Sequence, residues 1–298
     1  MAAAIIDGKK IADDIRREVG ASSQQLKAEK GIVPGLAFIL VGENPASQSY
    51  VKSKGKACEE LGFYSVTEQV PASISERELL EMIRAFNKDS RLHGILVQLP
   101  LPGHINEQNI IEAISPEKDV DGFHPISIGR MMIGAETFLP CTPAGIWELL
   151  RRSETNPSGK HVVVVGRSNI VGKPIANILL QKKEWCNAIV TVAHTGAADL
   201  GLYTRQADIL IAAIGKAEAI KASMVKPGAV VIDVGINRIP DSSKKSGFRV
   251  VGDVDYDDVK EVAGAITPVP GGVGPMTIAM LMVNTLKSAR RVADRAKG

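Results

Sequence analysis

Short apolar runs alternate with amphipathic stretches along most of the chain. Residues 5–30 are predicted to form a helix, with Ile11, Ile15, Val19 and Leu26 as its apolar positions. Leu36 to Val41 is a buried-strand run closed by Gly42. A helix is predicted over 47–61, with Asn44-Pro45 or Ser47 as start signals and Gly62 as the stop. Phe63–Val70 reads as a strand, Glu76–Asn87 as an amphipathic helix, and Gly94–Leu99 as a further buried strand ended by Pro100 and Pro102. A second series follows: a helix from Thr142-Pro143 through Arg151, a β-branched strand at His161–Val165, and a helix from Gly172 to about Gln181. Strands are expected at Ile189–Ala193, Ile209–Ile214 and Ala229–Val234, a polar loop at 240–247, and a long last helix from Thr277.

Strands alternating with helices predict an α/β protein with parallel sheets. At 298 residues the chain is long enough for two domains. Their border is placed near 140–145: residues 1–141 in one domain, 142–276 in the other, with the helix 277–298 expected to pack back on the first. The 45% hydrophobic and 23% charged composition is that of a globular protein. The net charge of +3 is spread without a basic stripe, and basic residues pair at most, as in Lys182-Lys183 and Lys244-Lys245, so nucleic acid is not an expected partner. No run approaches the length of a membrane span, and charge at Asp7 and Lys9 comes too early for a signal peptide. Cys58, Cys141 and Cys186 are far apart and odd in number, which predicts reduced thiols and a cytoplasmic location; an organellar protein whose transit peptide has been removed would look the same. The five histidines lack metal-ligand spacing, and no metal is expected.

Residues 161–172 read His-Val-Val-Val-Val-Gly-Arg-Ser-Asn-Ile-Val-Gly, a buried strand entering a glycine turn and then a helix. A dinucleotide-binding unit has that context, with pyrophosphate at the helix start. The pattern is imperfect, because Ser168 stands where a middle glycine is usual, and a plain strand–turn–helix reads similarly. The next strand ends in His194-Thr195 with no acid to hold ribose hydroxyls, while Arg167 lies in the first turn. Arg and Thr suit a 2′-phosphate that a carboxylate would repel, so NADP is favoured over NAD.

Tyr50 and Lys54, at i and i+4, share a helix face within a polar run, 47–54. Short-chain dehydrogenases use a Tyr-x-x-x-Lys pair, but there it follows the cofactor turn, whereas here it precedes it. An exposed lysine beside a half-buried tyrosine has the same spacing. Gln98 interrupts an apolar strand just before Pro100, where a ligand or a neighbouring loop must satisfy its amide, and Leu99-Pro100 is a candidate cis peptide. Lys118-Asp119-Val120-Asp121-Gly122 carries two carboxylates, suited to an amino-pyrimidinone edge or to a turn. Pro268 to Thr277, rich in glycine and proline, lets backbone approach a flat ligand or acts as a rigid linker.

These segments together resemble the bifunctional methylenetetrahydrofolate dehydrogenase/methenyltetrahydrofolate cyclohydrolase family over essentially the whole chain. The resemblance rests on Tyr50-Val51-Lys52-Ser53-Lys54, Gly94 to Pro100, Pro116 to Gly122, Pro140-Cys141-Thr142-Pro143, Val165 to Ser168 with Val171 to Pro174, and Pro268 to Thr277. It implies an N-terminal α/β catalytic domain, a Rossmann-like NADP-binding domain and a cleft between them. It also implies oxidation of 5,10-methylenetetrahydrofolate followed by hydrolysis to 10-formyltetrahydrofolate. In its terms Lys54 is the catalytic lysine, Tyr50 lies over the folate ring, Gln98 supports Lys54 and Asp121 binds the pterin. Gly166, Arg167, Ser168, Thr195 and Ile236 contact NADP. Val97, Gln98 and Leu99, with Pro270, Gly271, Gly272, Val273 and Gly274, line the folate pocket. A homodimer joined through the cofactor domain is implied too. Two positions depart from the common pattern: Ser127, where many members have Asn, and Thr195, where Ser is usual.

Overall fold

The computed structural model describes residues 3–244 and 247–295, apart from the side chain of Ala46. Lys245 and Ser246 of the expected polar loop, and the expected helix end at 296–298, lie outside the described residues. The chain begins with β1 (Ala4–Ile5) and α1 (Gly8–Lys30) and alternates through β2 (Gly35–Val41), α2 (Pro45–Glu60), β3 (Tyr64–Val70), α3 (Glu76–Lys88) and β4 (Gly94–Val97). Then come α4 (Glu107–Ala113), α5 (Pro125–Met132) and α6 (Cys141–Arg152). The second alternation is β5 (His161–Val165), α7 (Gly172–Leu180), β6 (Ile189–Ala193), α8 (Gly201–Thr204), β7 (Ile209–Ala212) and β8 (Val230–Asp233). It closes with β9 (Asn237–Pro240), β10 (Phe248–Val251), α9 (Tyr256–Val259), β11 (Ala265–Ile266) and α10 (Val273–Arg295).

These elements form two compact units. One holds Asp14–Cys141 and the chain from Ile278; the other holds the chain up to Asp13 and Thr142–Thr277. The first contains a parallel three-stranded sheet in the order β3-β2-β4. Helices cover parallel sheets on both faces, which is why β2 is apolar at every position and buried throughout. From central β2 the chain runs out to β3 through α2 and returns to the opposite side as β4. The reversal leaves a crevice beyond the carboxyl end of β2, where ligands bind in open α/β sheets. Helix α3 opens with a capping box, Ser75 accepting from the Glu78 amide while the Glu78 carboxylate accepts from Ser75. From Ile278 onward α10 is tied to this unit by Asn284, Lys287 and Ser288, which donate to the carbonyls of Val120, Thr137 and Glu117.

The second unit is built on a parallel six-stranded sheet, β1-β11-β8-β7-β5-β6. Val162 to Val165 of β5 are fully buried, each worth about 1.5–3 kcal/mol in burial. β6 lies on one side of β5 and β7 on the other, so the order reverses at β5 and its carboxyl end is again a switch point. β6 is an outer strand, paired with β5 alone.

Several elements depart from the expected ones. β1 replaces the start of the predicted first helix and pairs with β11, so the first residues belong to the six-stranded unit although 1–141 were expected in one domain. Among the described residues four helices are additional to the expected ones, α4, α5, α8 and α9, and the first two arise from local caps. Asn106 accepts from Gln108 and Asn109 at the head of α4, and His124 Nδ1 accepts from Ile126 at the head of α5, with Pro125 following. The segment around the expected polar loop is an antiparallel hairpin, β9–β10. α10 begins at Val273 rather than at Thr277, so the glycine-rich run already contains its first turn. Among the described residues no helix is long and apolar enough to cross a membrane.

Candidate active site

In the three-stranded unit, the Asn44 side chain accepts from the Ser47 amide at 3.1 Å and starts α2 just beyond the β2 crevice. On that helix Lys52 and Ser53 are exposed, Tyr50 is half-buried, and Lys54 is only 6% exposed. Lysine is almost never buried without a partner. Here Lys54 Nζ donates to Gln98 Oε1 at 3.0 Å, and Gln98 Nε2 donates to the Leu99 carbonyl at 2.8 Å. The amide that breaks the apolar strand therefore has its partners in the protein: its oxygen faces the lysine and its nitrogen holds the adjoining turn. Gln98 follows the end of β4, and its own amide continues the ladder to Ile39. Leu99–Pro100 is cis.

The two carboxylates of the 118–122 loop have separate tasks. Asp119 is buried and accepts from the amides of Phe123 and His124 at 3.1 and 2.9 Å and from Ser127. Burial pushes its carboxyl up to about 6, against the pull of those bonds. Ser127 thus supplies the bond that its departure from the common Asn had left open. Asp121 is partly buried, and its carboxyl is raised by burial, while the Lys54 charge and a hydrogen bond with the Cys141 thiol favour the ionised form. Lys54, Gln98 and Asp121 form one group of opposed charges and oriented amide in this unit; Tyr50 stands one turn before Lys54. Val97 is buried, so it offers little beyond its backbone.

A cavity of about 860 Å³ opens in the same unit, beside His93, Lys118, Arg130 and Ser288. His93 directly precedes β4 whereas Gln98 directly follows it, so this cavity lies at the opposite end of the strand from the Lys54 group. Its size reflects an open groove; the chemistry sits elsewhere.

In the six-stranded unit the turn after β5 has no room for a side chain at either of its glycines. A Cβ on Gly166 would lie 2.1 Å from the Ala213 carbonyl, and one on Gly172 would lie 2.2 Å from the Gly166 carbonyl. Gly166 also has φ +130°, which only glycine adopts freely. Ser168 Oγ accepts from the amides of Val171 and Gly172 at 3.1 and 3.3 Å, shaping the start of α7 where a glycine was missing from the pattern. Arg167 and Thr195 are exposed, and Ile236 is 49% exposed. The end of β6 carries no acid, and His194 there accepts from the Gly196 amide. In the 268–274 segment the Val269–Pro270 bond is cis and Gly271 has φ +110°. Gly272 and Val273 are buried, so this segment presents backbone more than side chains.

Sequence reasoning missed two buried acids in this unit. Asp253 accepts from the amides of Ile214 and Gly215 at 2.6 and 2.8 Å and from Asn237 at 2.9 Å. Asp233 accepts from Gly235, Asp253 and Val254, and burial pushes its carboxyl up to about 7. Together they fix the turns after β7 and β8, including the one that carries Ile236. Gly235 and Gly252, beside these acids, were the available signal: a Cβ at either would lie within 2.3 Å of a carboxylate oxygen. Asn284, a lone amide in an apolar helix, was likewise overlooked. Among the described residues no group of three or more His, Cys, Asp or Glu is placed to hold a metal ion.

Comparison with known proteins matches both parts of the chain to one enzyme family. Residues 6–121 match the model of the tetrahydrofolate dehydrogenase/cyclohydrolase catalytic domain, and residues 140–293 that of the tetrahydrofolate dehydrogenase/cyclohydrolase NAD(P)-binding domain. The chain is 61% identical over 290 residues to the bifunctional protein FolD of Syntrophus aciditrophicus, covering 97% of this chain and 98% of that one. The crystal structure of the bifunctional enzyme FolD from Campylobacter jejuni is 51% identical, with a TM-score of 0.92 over 98% of this chain and all of that one. The Trypanosoma brucei methylenetetrahydrofolate dehydrogenase-cyclohydrolase, solved with NADP cofactor and inhibitor, is 38% identical with a TM-score of 0.93, covering 98% and 99% of the two chains. With both domain models matched in order and close relatives aligned end to end, the chain belongs to the tetrahydrofolate dehydrogenase/cyclohydrolase family.

Proposed function

We infer that the chain oxidises 5,10-methylenetetrahydrofolate to 5,10-methenyltetrahydrofolate with NADP and hydrolyses that product to 10-formyltetrahydrofolate. The observation that carries this reading is a lysine amine withdrawn from solvent, held on an amide oxygen and paired electrostatically with Asp121, in a chain of this family.

The residues of the six-stranded unit fit NADP. With no Cβ at Gly166 or Gly172, the backbone of the turn before α7 can come close to a pyrophosphate. Arg167 and Thr195 offer charge-assisted and hydroxyl hydrogen bonds to a 2′-phosphate, and no carboxylate stands at the end of β6 to repel it. Ile236, exposed on the turn that Asp233 fixes, offers an apolar contact. When bound, NADP supplies the acceptor for the hydride that leaves the bridging methylene carbon with its electron pair.

On the folate side, the Asp121 carboxylate accepts two N–H bonds from the amino-pyrimidinone edge and the Tyr50 ring lies against the folate rings. In the three-stranded unit the backbone of Val97, Gln98 and Leu99 is offered to the folate, and in the six-stranded unit that of Pro270 to Gly274 is offered to it. Hydride loss asks these residues for position, since the folate nitrogens stabilise the cation formed. Hydrolysis asks for more. Water adds to the methenyl carbon, the bond from that carbon to one folate nitrogen breaks, that nitrogen gains a proton, and one proton is released overall. Lys54 is the group that moves these protons, with Gln98 holding its amine in place. Mixing the purified chain with methylenetetrahydrofolate and NADP should raise near-ultraviolet absorbance, because NADPH and the methenyl product both absorb there; a flat trace would sink the reading.

The same reading makes the protein a homodimer joined through the six-stranded unit. Outer strand β6 exposes Ile189 (65%) and Val192 (41%), and Leu202 and Tyr203 of α8 are exposed as well. An apolar outer strand left bare invites pairing with a second sheet. Light scattering should give twice the 31.7 kDa chain mass, and Ile189→Glu with Val192→Glu should give the single-chain mass without loss of helix content. A dimer that survives both charges would move the interface elsewhere. We place the activity in the cytoplasm, in keeping with three unpaired cysteines.

A further inference from the structure

Helix α10 carries a buried side chain with no evident reason to be there. Asn284 is 5% exposed on the same helix as buried Met280, Leu281, Met282 and Leu286. Asparagine is a poor helix former, and a buried amide is tolerated only when its hydrogens are spent. Both are. Asn284 Nδ2 donates to the Val120 carbonyl at 2.8 Å and to the Leu139 carbonyl at 3.0 Å. The polar neighbours on the helix do other things: Thr285 bonds back to Leu281 in its own helix, and Ser288 holds the Glu117 carbonyl at 3.0 Å, four residues before Asp121. Among these three, Asn284 alone reaches the peptide that leads into Asp121.

The surroundings leave that peptide little freedom. Cys141 Sγ lies 3.3 Å from the same Val120 carbonyl and also bonds to the Asp121 carboxyl. Gly122, at φ +77°, is packed so closely that a Cβ would lie 2.6 Å from Pro140 N. The turn bearing Asp121 and the 139–141 segment therefore press against each other, and one amide from α10 ties the two together.

We propose that Asn284 is a positioning residue for folate binding, fixing through the Val120 and Leu139 carbonyls the backbone from which the Asp121 carboxylate meets the pterin. The inference rests on the reading that Asp121 binds the pterin. Asn284→Leu keeps the volume and removes the donor. It should raise the KM for methylenetetrahydrofolate by about tenfold, the worth of roughly one hydrogen bond. The KM for NADP and kcat at saturating folate should stay within about twofold. Ser288→Ala, which frees a carbonyl of the same loop farther from Asp121, should leave the folate KM unchanged. On an Asp121→Asn background the Asn284→Leu effect should vanish, because the carboxylate it positions is already gone. If Asn284→Leu does not fold, Asn284→Ser is measured in the same cycle, with a smaller rise expected. A folate KM that ignores either Asn284 variant, or that rises equally on the Asp121→Asn background, overturns the proposal while leaving the role of Asp121 intact. An Asp121→Asn variant with normal folate KM would instead remove the underlying reading and this inference with it.

Discussion

Replacing Lys54 with methionine is expected to lower cyclohydrolase turnover by about 10²–10⁴-fold, the usual contribution of a positioned proton-transfer group, while a measurable part of the dehydrogenase activity persists. Methionine retains most of the apolar stem that packs in α2 and deletes only the amine. The Gln98 oxygen loses its donor, at a cost of about 1–3 kcal/mol in local stability if nothing replaces it. Hydride transfer survives because it depends on how folate and nicotinamide are held, whereas the attack of water depends on a group that takes up and returns protons. Arginine at the same position should fail as methionine does, because a guanidinium keeps its charge but does not release its proton. A second readout follows from the charge on Asp121. The Lys54 cation favours the ionised form of that carboxyl, so its removal lets the carboxyl rise further. Asp121 must be ionised to accept the pterin's N–H groups, so the rise in folate KM on acidification should set in at a higher pH in Lys54→Met than in the parent. Loss of both activities in the same proportion, in a folded variant that still binds folate, would remove the lysine from the hydrolytic step.

Arg167→Ala should weaken NADP by roughly 10- to 150-fold, the value of about 1.5–3 kcal/mol for a hydrogen bond to a charged group, and change NAD by no more than about twofold. The guanidinium stands exposed in the turn after β5, so its loss disturbs no packing. The difference between the two cofactors is a single phosphate, and only a group that reads that phosphate separates them. Salt offers an independent check. With Arg167 present, the KM for NADP should climb with ionic strength as screening weakens the exposed contact, and without it that slope should flatten. Thr195→Ala, which removes one neutral hydroxyl, should do less. If both cofactors weaken alike, Arg167 shapes the turn and some other group reads the phosphate.

Strands β2 to β8 and the longer helices were legible because each has its own local cause. β2 and β5 are covered on both faces and so appear as unbroken apolar runs, while α2, α3 and α7 carry start and stop signals in their immediate flanks. Of the four helices that escaped notice, α4 and α5 begin at caps, Asn106 and His124, whose meaning depends on side-chain geometry more than on periodicity, and α8 and α9 are four residues each, too short to show a period. The β9–β10 hairpin escaped because its strands are only four residues each, flank a polar loop and pair with each other alone. The site divides in the same way. Tyr50 and Lys54 are four apart and were read as one face, and Gln98 stood out as an amide in an apolar strand. That Lys54 would be the partner of Gln98, 44 residues away, was not readable from spacing. Nor were Asp233, Asp253 and Asn284, since each acts on backbone brought to it by the fold.

All three thiols are interior. Cys58, Cys141 and Cys186 are each at most 1% exposed, burial pushes Cys58 up to about 12, and Cys141 is raised well beyond its ordinary range. The thiolate is the reactive form, so alkylating reagents near neutral pH have nothing to attack while the chain stays folded. A cysteine introduced on an exposed position such as Lys52 or Ser53 would then be the one handle for a fluorophore or spin label, and the native thiols would react only on unfolding, which makes them a built-in reporter of the intact state.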